Sequence, residues 1–282
     1  MAQSTLSAPR STTLPLPERK APPRSRLRNL WLALSLPLFI FLLLPLVALF
    51  LRTSPSQLVA NLNQPSILQA VGISLVTATG STLVIILLGT PVAYLLARRQ
   101  VPFRRLIDTL LDLPIVLPPA VAGIALLMAF GRQGLLGGML EDLGIHIAFT
   151  PYAVLLAQTF IAAPFFIKSA TVGFANIDSE LEQAASLDGA GSWQLFRFLT
   201  IPLAWSALLS GAVMSWARAL GEFGATIIFA GNFAGRTQTM PLAIYMGFEI
   251  NLQMAVTLSV ILIAFSFLAL LIVKVLLQRD ES

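Results

Sequence analysis

Long apolar runs constrain the fold of this chain more than any other feature. A transmembrane helix needs about 20 mainly apolar residues, and six stretches of the sequence meet that length. Only 11% of the 282 residues are charged, against about 25% in soluble domains. The sequence therefore predicts an all-α integral membrane domain over residues 29–282 with six spans. The predicted spans are Trp31–Leu51, Ala70–Ala97, Leu113–Gly131, Phe149–Ile167, Pro202–Ala230 and Leu252–Val273.

Three of these spans have unusual features. The third carries Pro114, Pro118 and Pro119 near its start, and the adjacent pair predicts a kink, because proline removes a backbone donor. The fifth contains two charges, Arg218 and Glu222. The first has a basic flank like a signal peptide, but it is longer than the roughly 7–15 apolar residues of such a segment. We therefore interpret it as a retained helix.

The placement of lysine and arginine predicts the orientation of the spans, because cytoplasmic loops carry an excess of both. Fourteen of the 18 basic residues lie before span 1, after span 6 or in the loops that follow spans 2 and 4, whereas three lie in the other loops. Both termini are predicted to be cytoplasmic. The net charge of +5 is thus a topology signal, and no nucleic-acid partner is expected.

The first 28 residues are rich in Ser, Thr, Pro and Arg. Such a composition cannot bury enough apolar surface to fold by itself, so residues 1–28 are predicted to form a disordered basic cytoplasmic tail. Contact of this tail with anionic membrane lipid is the alternative.

Motifs for cofactor or nucleotide binding are scarce. A P-loop needs glycine before its lysine, and none of the three lysines follows a glycine. The sequence has no cysteine and a single histidine, His146, which argues against thiolate, haem and iron–sulfur chemistry. No cofactor is expected in this chain. If ATP drives it, a separate subunit must hydrolyse the ATP.

The loop between spans 4 and 5, about residues 173–201, is polar and punctuated by glycine. Ser179 and Glu182 fit a capping box that starts a helix near Glu180. Gly189 is suited to end that helix, and Ser192 is suited to cap a second one. The loop is therefore predicted to be a helix–glycine turn–helix. It either lies on the bilayer as an amphipathic segment or docks another protein.

Residues of this loop resemble the EAA loop of ATP-binding-cassette (ABC) importer membrane subunits, in which E-A-A is followed at fixed spacing by Gly and by I-x-L-P. The matching positions are Ala184, Ala185, Gly189, Leu199, Ile201 and Pro202. Gln183 occupies the glutamate position, and Glu182 lies one residue earlier. Since one residue turns a helical side chain by about 100°, a carboxylate at position 182 points in a different direction from one at position 183.

The resemblance implies a type I ABC importer permease fold in which this loop forms coupling helices that dock into a cytosolic ATPase. It implies a non-enzymatic pore subunit with two ATP-binding subunits, which carry ATP and magnesium, and an external binding protein. The implied location is the inner membrane of a bacterial or archaeal-type cell. One six-span chain is short for a complete pore, so a homodimer is expected.

Two further stretches narrow the resemblance. WARALGEFGATIIFAGN (216–232) and GRTQTMPLAIY (235–245) resemble permease subunits of molybdate/tungstate importers, and the first is shared more loosely with sulfate importers. The implied cargo is molybdate or tungstate, with sulfate or thiosulfate as the alternative.

Candidate pore or interface residues lie in span 5. Arg218 and Glu222 are four residues apart on one helical face, and intramembrane charges are costly unless they are paired or face a cavity. They are interpreted either as part of an anion route or as a structural salt bridge. Ser215 is a candidate for weak polar lining of the pore.

Rival functions have weaker support in the sequence. Asp108 and Asp112, one turn apart, would suit a magnesium–phosphate site of a membrane enzyme, or would neutralise nearby arginines. An ion-driven carrier would show intramembrane acids and inverted repeats, but Glu222 is the only acid deep in a predicted span.

Overall fold

The computed structural model describes residues 24–98 and 102–280, and the regular structure within these ranges is helical. The helices are α1 (Arg24–Leu51), α2 (Pro55–Leu62), α3 (Pro65–Ala97), α4 (Arg104–Val116), α5 (Pro119–Phe130), α6 (Gly137–Asp142), α7 (Pro151–Ala175), α8 (Ser179–Leu187), α9 (Ser192–Leu195), α10 (Ile201–Leu203), α11 (Trp205–Leu220), α12 (Gly224–Phe229), α13 (Met240–Ile250) and α14 (Leu252–Asp280). A π-helical turn, Phe196–Thr200, joins α9 to α10.

The chain divides into two compact units after Leu51, and the boundary that the sequence predicts near residue 28 stays a prediction. In the first unit, α1 begins at Arg24, inside the predicted tail of residues 1–28. Residues 1–23 lie outside the described residues. The second unit, Arg52–Ser282, carries the candidate functional loop.

The predicted spans correspond to four long apolar helices and two bent helix pairs. Residues 24–98 and 102–280 therefore contain up to six candidate spans, if each bent pair counts as one. The four long segments are Arg28–Leu51, Pro65–Ala97, Pro151–Ala175 and Leu252–Ile272. Proline at the first turn, as in α3 and α7, suits a helix start because its missing N–H has no intrahelical partner there.

The third span bends at the predicted place, Pro118 and Pro119, but the bend is a break between two helices rather than a kink within one helix. Leu117 and Pro118 are extended, with ψ of 133° and 132°, because a residue before proline is pushed away from the helical region. The axes of α4 and α5 consequently differ by 114°. At 12 residues, α5 is about 18 Å long, which is short of the bilayer core of about 30 Å.

The fifth span, predicted as Pro202–Ala230, is interrupted twice. The helical segment Ser192–Leu203 bends by 71° into α11 at Ala204. The α11 helix then ends at Leu220, and α12 starts at Gly224. A further apolar helix, α13, has 11 residues and matches no predicted span.

The core of the second unit lies where α3, α7 and α11 pack together. Phe166, Phe174 and Leu220 are among its fully buried side chains. Glycines permit close approach at this crossing, as is common between membrane helices. A Cβ placed on Gly173 would lie 2.4 Å from the Cβ of Ala207, and one placed on Gly211 would lie 2.9 Å from the Cβ of Ser169.

Candidate functional site

The first helix of the polar loop is α8, and Asp178 caps it. The carboxylate of Asp178 accepts a hydrogen bond from the backbone N–H of Glu180 at 2.9 Å. The predicted capping box of Ser179 and Glu182 is therefore wrong: Ser179 is the first helical residue, and Glu182 points to other partners. A side-chain oxygen at the N-cap satisfies a backbone donor that has no intrahelical acceptor.

Gly189 ends α8 as predicted. Its φ of +89° lies in the left-handed region that favours glycine. The N–H of Ala190 donates to the carbonyl of Ala185 at 3.1 Å, which closes the turn. The next helix is capped by Gly191 rather than by Ser192: the N–H of Gly191 donates to Gln194 Oε1 at 2.8 Å. The predicted helix–glycine turn–helix is present.

Glu182 faces the body of the protein. Its carboxylate forms an ion pair with Arg98, just beyond the end of α3. Thr200 Oγ1 donates to the same carboxylate at 3.3 Å. Gln183, at the position of the family glutamate, is exposed, as is Ala184. The two positions therefore differ in direction, because Glu182 is turned inward and Gln183 outward.

The outward surface of the loop combines polar residues with several large apolar side chains. Leu187 is 89% exposed, and Trp193 and Phe198 are also exposed. Beside them lies an open groove of about 440 Å³. Its lining residues are Ala185, Asp188, Gly189, Ala190, Gln194, Leu195, Phe198 and Leu199. Large exposed apolar groups beside a concave surface are typical of an interaction site.

Pro202 lies in α10, directly after the π-helical turn. Proline lacks the N–H that would bond to the carbonyl four residues earlier, so an irregular turn at this point has a local cause. Helical geometry continues from Ser192 to Leu203, which connects the loop to α11 through the bend at Ala204.

Arg218 and Glu222 form the pair predicted from their spacing, with Arg218 Nη1 2.7 Å from Glu222 Oε2. Glu222 is 1% exposed, and its other oxygen accepts the N–H of Ala225 at 2.9 Å. The carboxylate thus neutralises Arg218 and holds the start of α12 across the break in span 5. Ser215 is fully buried and donates to the carbonyl of Ala162 at 2.9 Å, which is a contact between helices α11 and α7.

The two acidic residues considered for a membrane enzyme, Asp108 and Asp112, lie in different surroundings. Lys168 Nζ lies 2.6 Å from a carboxylate oxygen of Asp112, and Asp108 is exposed. No group of three or more His, Cys, Asp or Glu side chains is arranged for a metal ion in residues 24–98 and 102–280.

A second polar contact lies near the loop between α6 and α7. Arg132 Nη2 lies 3.0 Å from Glu141 Oε1, and the hydrogen bond and charge of Arg132 lower the pKa of Glu141. Both residues line a cavity of about 180 Å³ together with His146. His146 itself is exposed.

Sequence reasoning missed Arg98 and Thr200 as partners of the loop. Arg98 was counted only as a topology signal, and it lies 84 residues from Glu182. No spacing rule connects residues at that separation, so the pair becomes visible only when α3 is packed beside α7.

The broken-span helical fold with this loop is that of an ABC importer permease. The structure resembles that of a bacterial ABC transporter involved in the import of the acidic polysaccharide alginate, with a TM-score of 0.67 and 17% identity, over 91% of this chain and 96% of that chain. The sequence of residues 86–280 matches a protein family, the binding-protein-dependent transport system inner membrane component. The chain belongs to that family, so the predicted multi-pass inner-membrane permease is confirmed.

Two named relatives are similar over most of their length. The molybdenum transport system permease protein ModB of Mycobacterium bovis is 41% identical over 232 residues, which cover 82% of this chain and 88% of that protein. ModB of Escherichia coli K12 is 40% identical over 178 residues, which cover 63% of this chain and 78% of that protein.

Proposed function

We propose that this chain is the permease subunit of an ATP-driven molybdate importer, in which it forms the pore and couples to a separate ATPase. The observation that carries the proposal is the 41% identity to a molybdenum transport system permease over 82% of the chain. Tungstate belongs to the same cargo class, because it is a tetrahedral dianion of nearly the same size as molybdate, whereas sulfate is a smaller one. Sulfate or thiosulfate is the alternative that the experiment below distinguishes.

The proposed complex contains two copies of this chain, two cytosolic ATPase subunits and an external oxyanion-binding protein. Each ATPase would bind the loop surface around Gly189, with Ala184, Leu187 and Trp193 in the contact. The excess of basic residues supports a cytoplasmic position for this loop and for both termini. Its exposed apolar side chains support a protein partner, because a large apolar patch in water is costly unless it is covered.

The charges in span 5 suit passage of an anion rather than its storage. A permanently unpaired arginine in a low-dielectric site would attract a dianion strongly. Here Glu222 neutralises Arg218 at 2.7 Å, while the side chain of Arg218 keeps 31% exposure. The pair therefore leaves a weak, partly accessible positive group beside the break in the span.

The proposal is tested with the assembled importer in proteoliposomes. We expect ATP-dependent uptake of radioactive molybdate that requires the external binding protein. Excess tungstate should compete, whereas sulfate at the same concentration should not. Competition by sulfate equal to that by tungstate would move the assignment to the sulfate class, and uptake driven by an ion gradient without the ATPase would contradict an ABC importer.

Docking of the ATPase is tested in the same preparation with Ala184→Arg and Gly189→Arg. Ala184 lies on the exposed face of α8, so a bulky cation there blocks contact without backbone strain; Gly189 adds strain because of its positive φ. We expect both variants to insert normally and to lose the ATPase during co-purification. Gly138→Arg is the control, because a Cβ there meets nothing within 4 Å. The distribution of Lys and Arg also predicts that α6 lies on the opposite, external side of the membrane. Retention of the ATPase by both loop variants would contradict the docking role.

A further inference from the structure

We propose that Glu182 is a positioning residue, with Arg98 as its partner. The ion pair fastens the coupling loop, about residues 173–201, to the membrane helices of its own subunit. This inference rests on the proposed function, because it concerns how motion of an ATPase reaches the membrane helices. The carboxylate that the family pattern places at position 183, on the exposed face of α8, stands here at position 182 and is used internally.

One carboxylate joins three parts of the chain. Glu182 belongs to α8, Arg98 follows α3, and Thr200 ends the π-helical turn that leads toward α11. The Arg98 and Glu182 side chains are only 17% and 21% exposed, so water and salt screen this pair less than an open surface pair. A charge-assisted contact of this kind fixes geometry as well as adding energy.

Arg98 is itself held in place by its surroundings. Its backbone N–H donates to the carbonyl of Tyr94 at 3.1 Å, and a cation at a helix C-terminus interacts favourably with the helix dipole. Its guanidinium carbon lies 5.5 Å from the centroid of the Tyr94 ring, within the range of a cation–π contact. The arginine is therefore a prearranged anchor rather than a freely moving surface side chain.

An aromatic cluster supports the same junction. The Tyr94 ring packs edge-on against Phe196, with centroids 5.3 Å apart, and against Phe174 at 5.6 Å. Trp193 of α9 adds a ring 5.9 Å from Phe196. Helices α3, α7 and α9 thus meet at one apolar contact beside the ion pair. A hydrophobic contact alone tolerates sliding, whereas the ion pair and the Thr200 hydrogen bond fix the position of α8.

The consequence is that displacement of α8 moves the ends of α3 and of the segment before α11 together. Without the ion pair, α8 is connected through its flanking residues near Asp178 and Gly189, and it can turn when the ATPase pulls on it. ATP would still be hydrolysed, but less of each cycle would reach the pore.

The test compares Glu182→Gln, Arg98→Gln and the double variant in the full importer. We expect each single variant to retain the ATPase and its hydrolysis but to transport several-fold fewer molybdate ions per ATP. The double variant should be no worse than the poorer single variant, because both changes remove the same contact. Glu180→Gln is the matched control, since Glu180 is exposed on the same helix, and it should behave as the wild type.

Two results would overturn the inference. One is a wild-type ratio of transport to hydrolysis in both single variants. The other is loss of ATPase binding in Glu182→Gln alone, with Arg98→Gln unaffected, because the carboxylate would then contact the ATPase directly.

A second measurement needs neither substrate nor ATPase. In thermal unfolding of the purified chain, the two single variants should each lower Tm, and the double variant should lower it by clearly less than the sum. Additive losses would show that Arg98 and Glu182 act independently, and would contradict the proposal that their ion pair fastens the loop. If the wild type transports no oxyanion, the proposed function fails. The comparison of Tm values still decides whether Arg98 and Glu182 stabilise the chain as a pair.

Discussion

Glu222 shows how a single side chain can hold a broken membrane helix together. Glu222 is 1% exposed. One oxygen of its carboxylate binds Arg218, and the other accepts the N–H of Ala225. A helix interruption in a membrane leaves backbone groups that need partners, because lipid offers none. The acid therefore neutralises a charge and satisfies the first turn of α12 at the same time.

We predict that Glu222→Gln destabilises the chain. The amide oxygen can still accept from Ala225, but Arg218 loses its counter-charge. We expect a loss of roughly 1–3 kcal/mol, below the value of roughly 3–5 kcal/mol for a fully buried pair, because the Arg218 side chain is only partly buried, with 31% exposure. Thermal unfolding in detergent measures the change. Glu249→Gln, at an exposed acid on α13, is the control, and equal effects of the two variants would contradict a structural role for Glu222.

Helices α7 and α11 pack at backbone distance, and glycine makes this possible. Gly173 and Gly211 lie at two points of the crossing, where added Cβ atoms would overlap their neighbours. Hydrogen bonds join the same pair of helices: Ser169 Oγ donates to the carbonyl of Ala207 at 2.7 Å, and Ser215 donates to Ala162. Their contact is therefore fixed by shape and by polar groups.

Gly173→Ala is predicted to destabilise this crossing. The new methyl group would lie 2.4 Å from the Cβ of Ala207, and such overpacking costs about 1–3 kcal/mol, which exceeds the gain of up to about 1 kcal/mol in helix propensity. Gly72→Ala in α3 has the same chemistry but meets nothing within 4 Å, so it should be neutral or stabilising. Thermal unfolding of both variants tests the difference; similar shifts would contradict the packing argument.

Some of these features can be predicted from sequence and others cannot, for physical reasons. Hydropathy found the long helices because a bilayer requires continuous apolar length, and Gly189 was predicted as a helix end because its conformation is local. The break at Leu117 was predicted only as a kink, since the angle depends on what α4 and α5 pack against. The Arg98–Glu182 pair depends on tertiary packing and leaves no local signal.

At the scale of the whole molecule, the basic residues predict one orientation of every span. The loop around α8 and the segment around α6 would then face opposite sides of the membrane. This assignment decides which surface meets an ATPase and which meets a binding protein.

Topology can be tested directly because the sequence contains no cysteine. We predict that Ser186→Cys is labelled by a membrane-impermeant maleimide only in inside-out vesicles, and Asp142→Cys only in intact, right-side-out vesicles. Both positions are exposed, so access to water should not limit the reaction. Labelling of Ser186→Cys from outside would reverse the orientation and contradict the proposed docking of a cytosolic ATPase.

The close crossing of α7 and α11 also limits where this protein can deform. Two helices in backbone contact and joined by hydrogen bonds form a stiff frame, since packed interiors do not stretch. Rearrangement is then concentrated at joints outside that frame, where the chain already departs from helical geometry. Three such breaks fall inside the predicted third and fifth spans: Leu117–Pro118, Ala204 and the stretch from Gly221 to Phe223. We therefore expect alternation between open and closed forms to swing short segments about these joints while the frame keeps its shape.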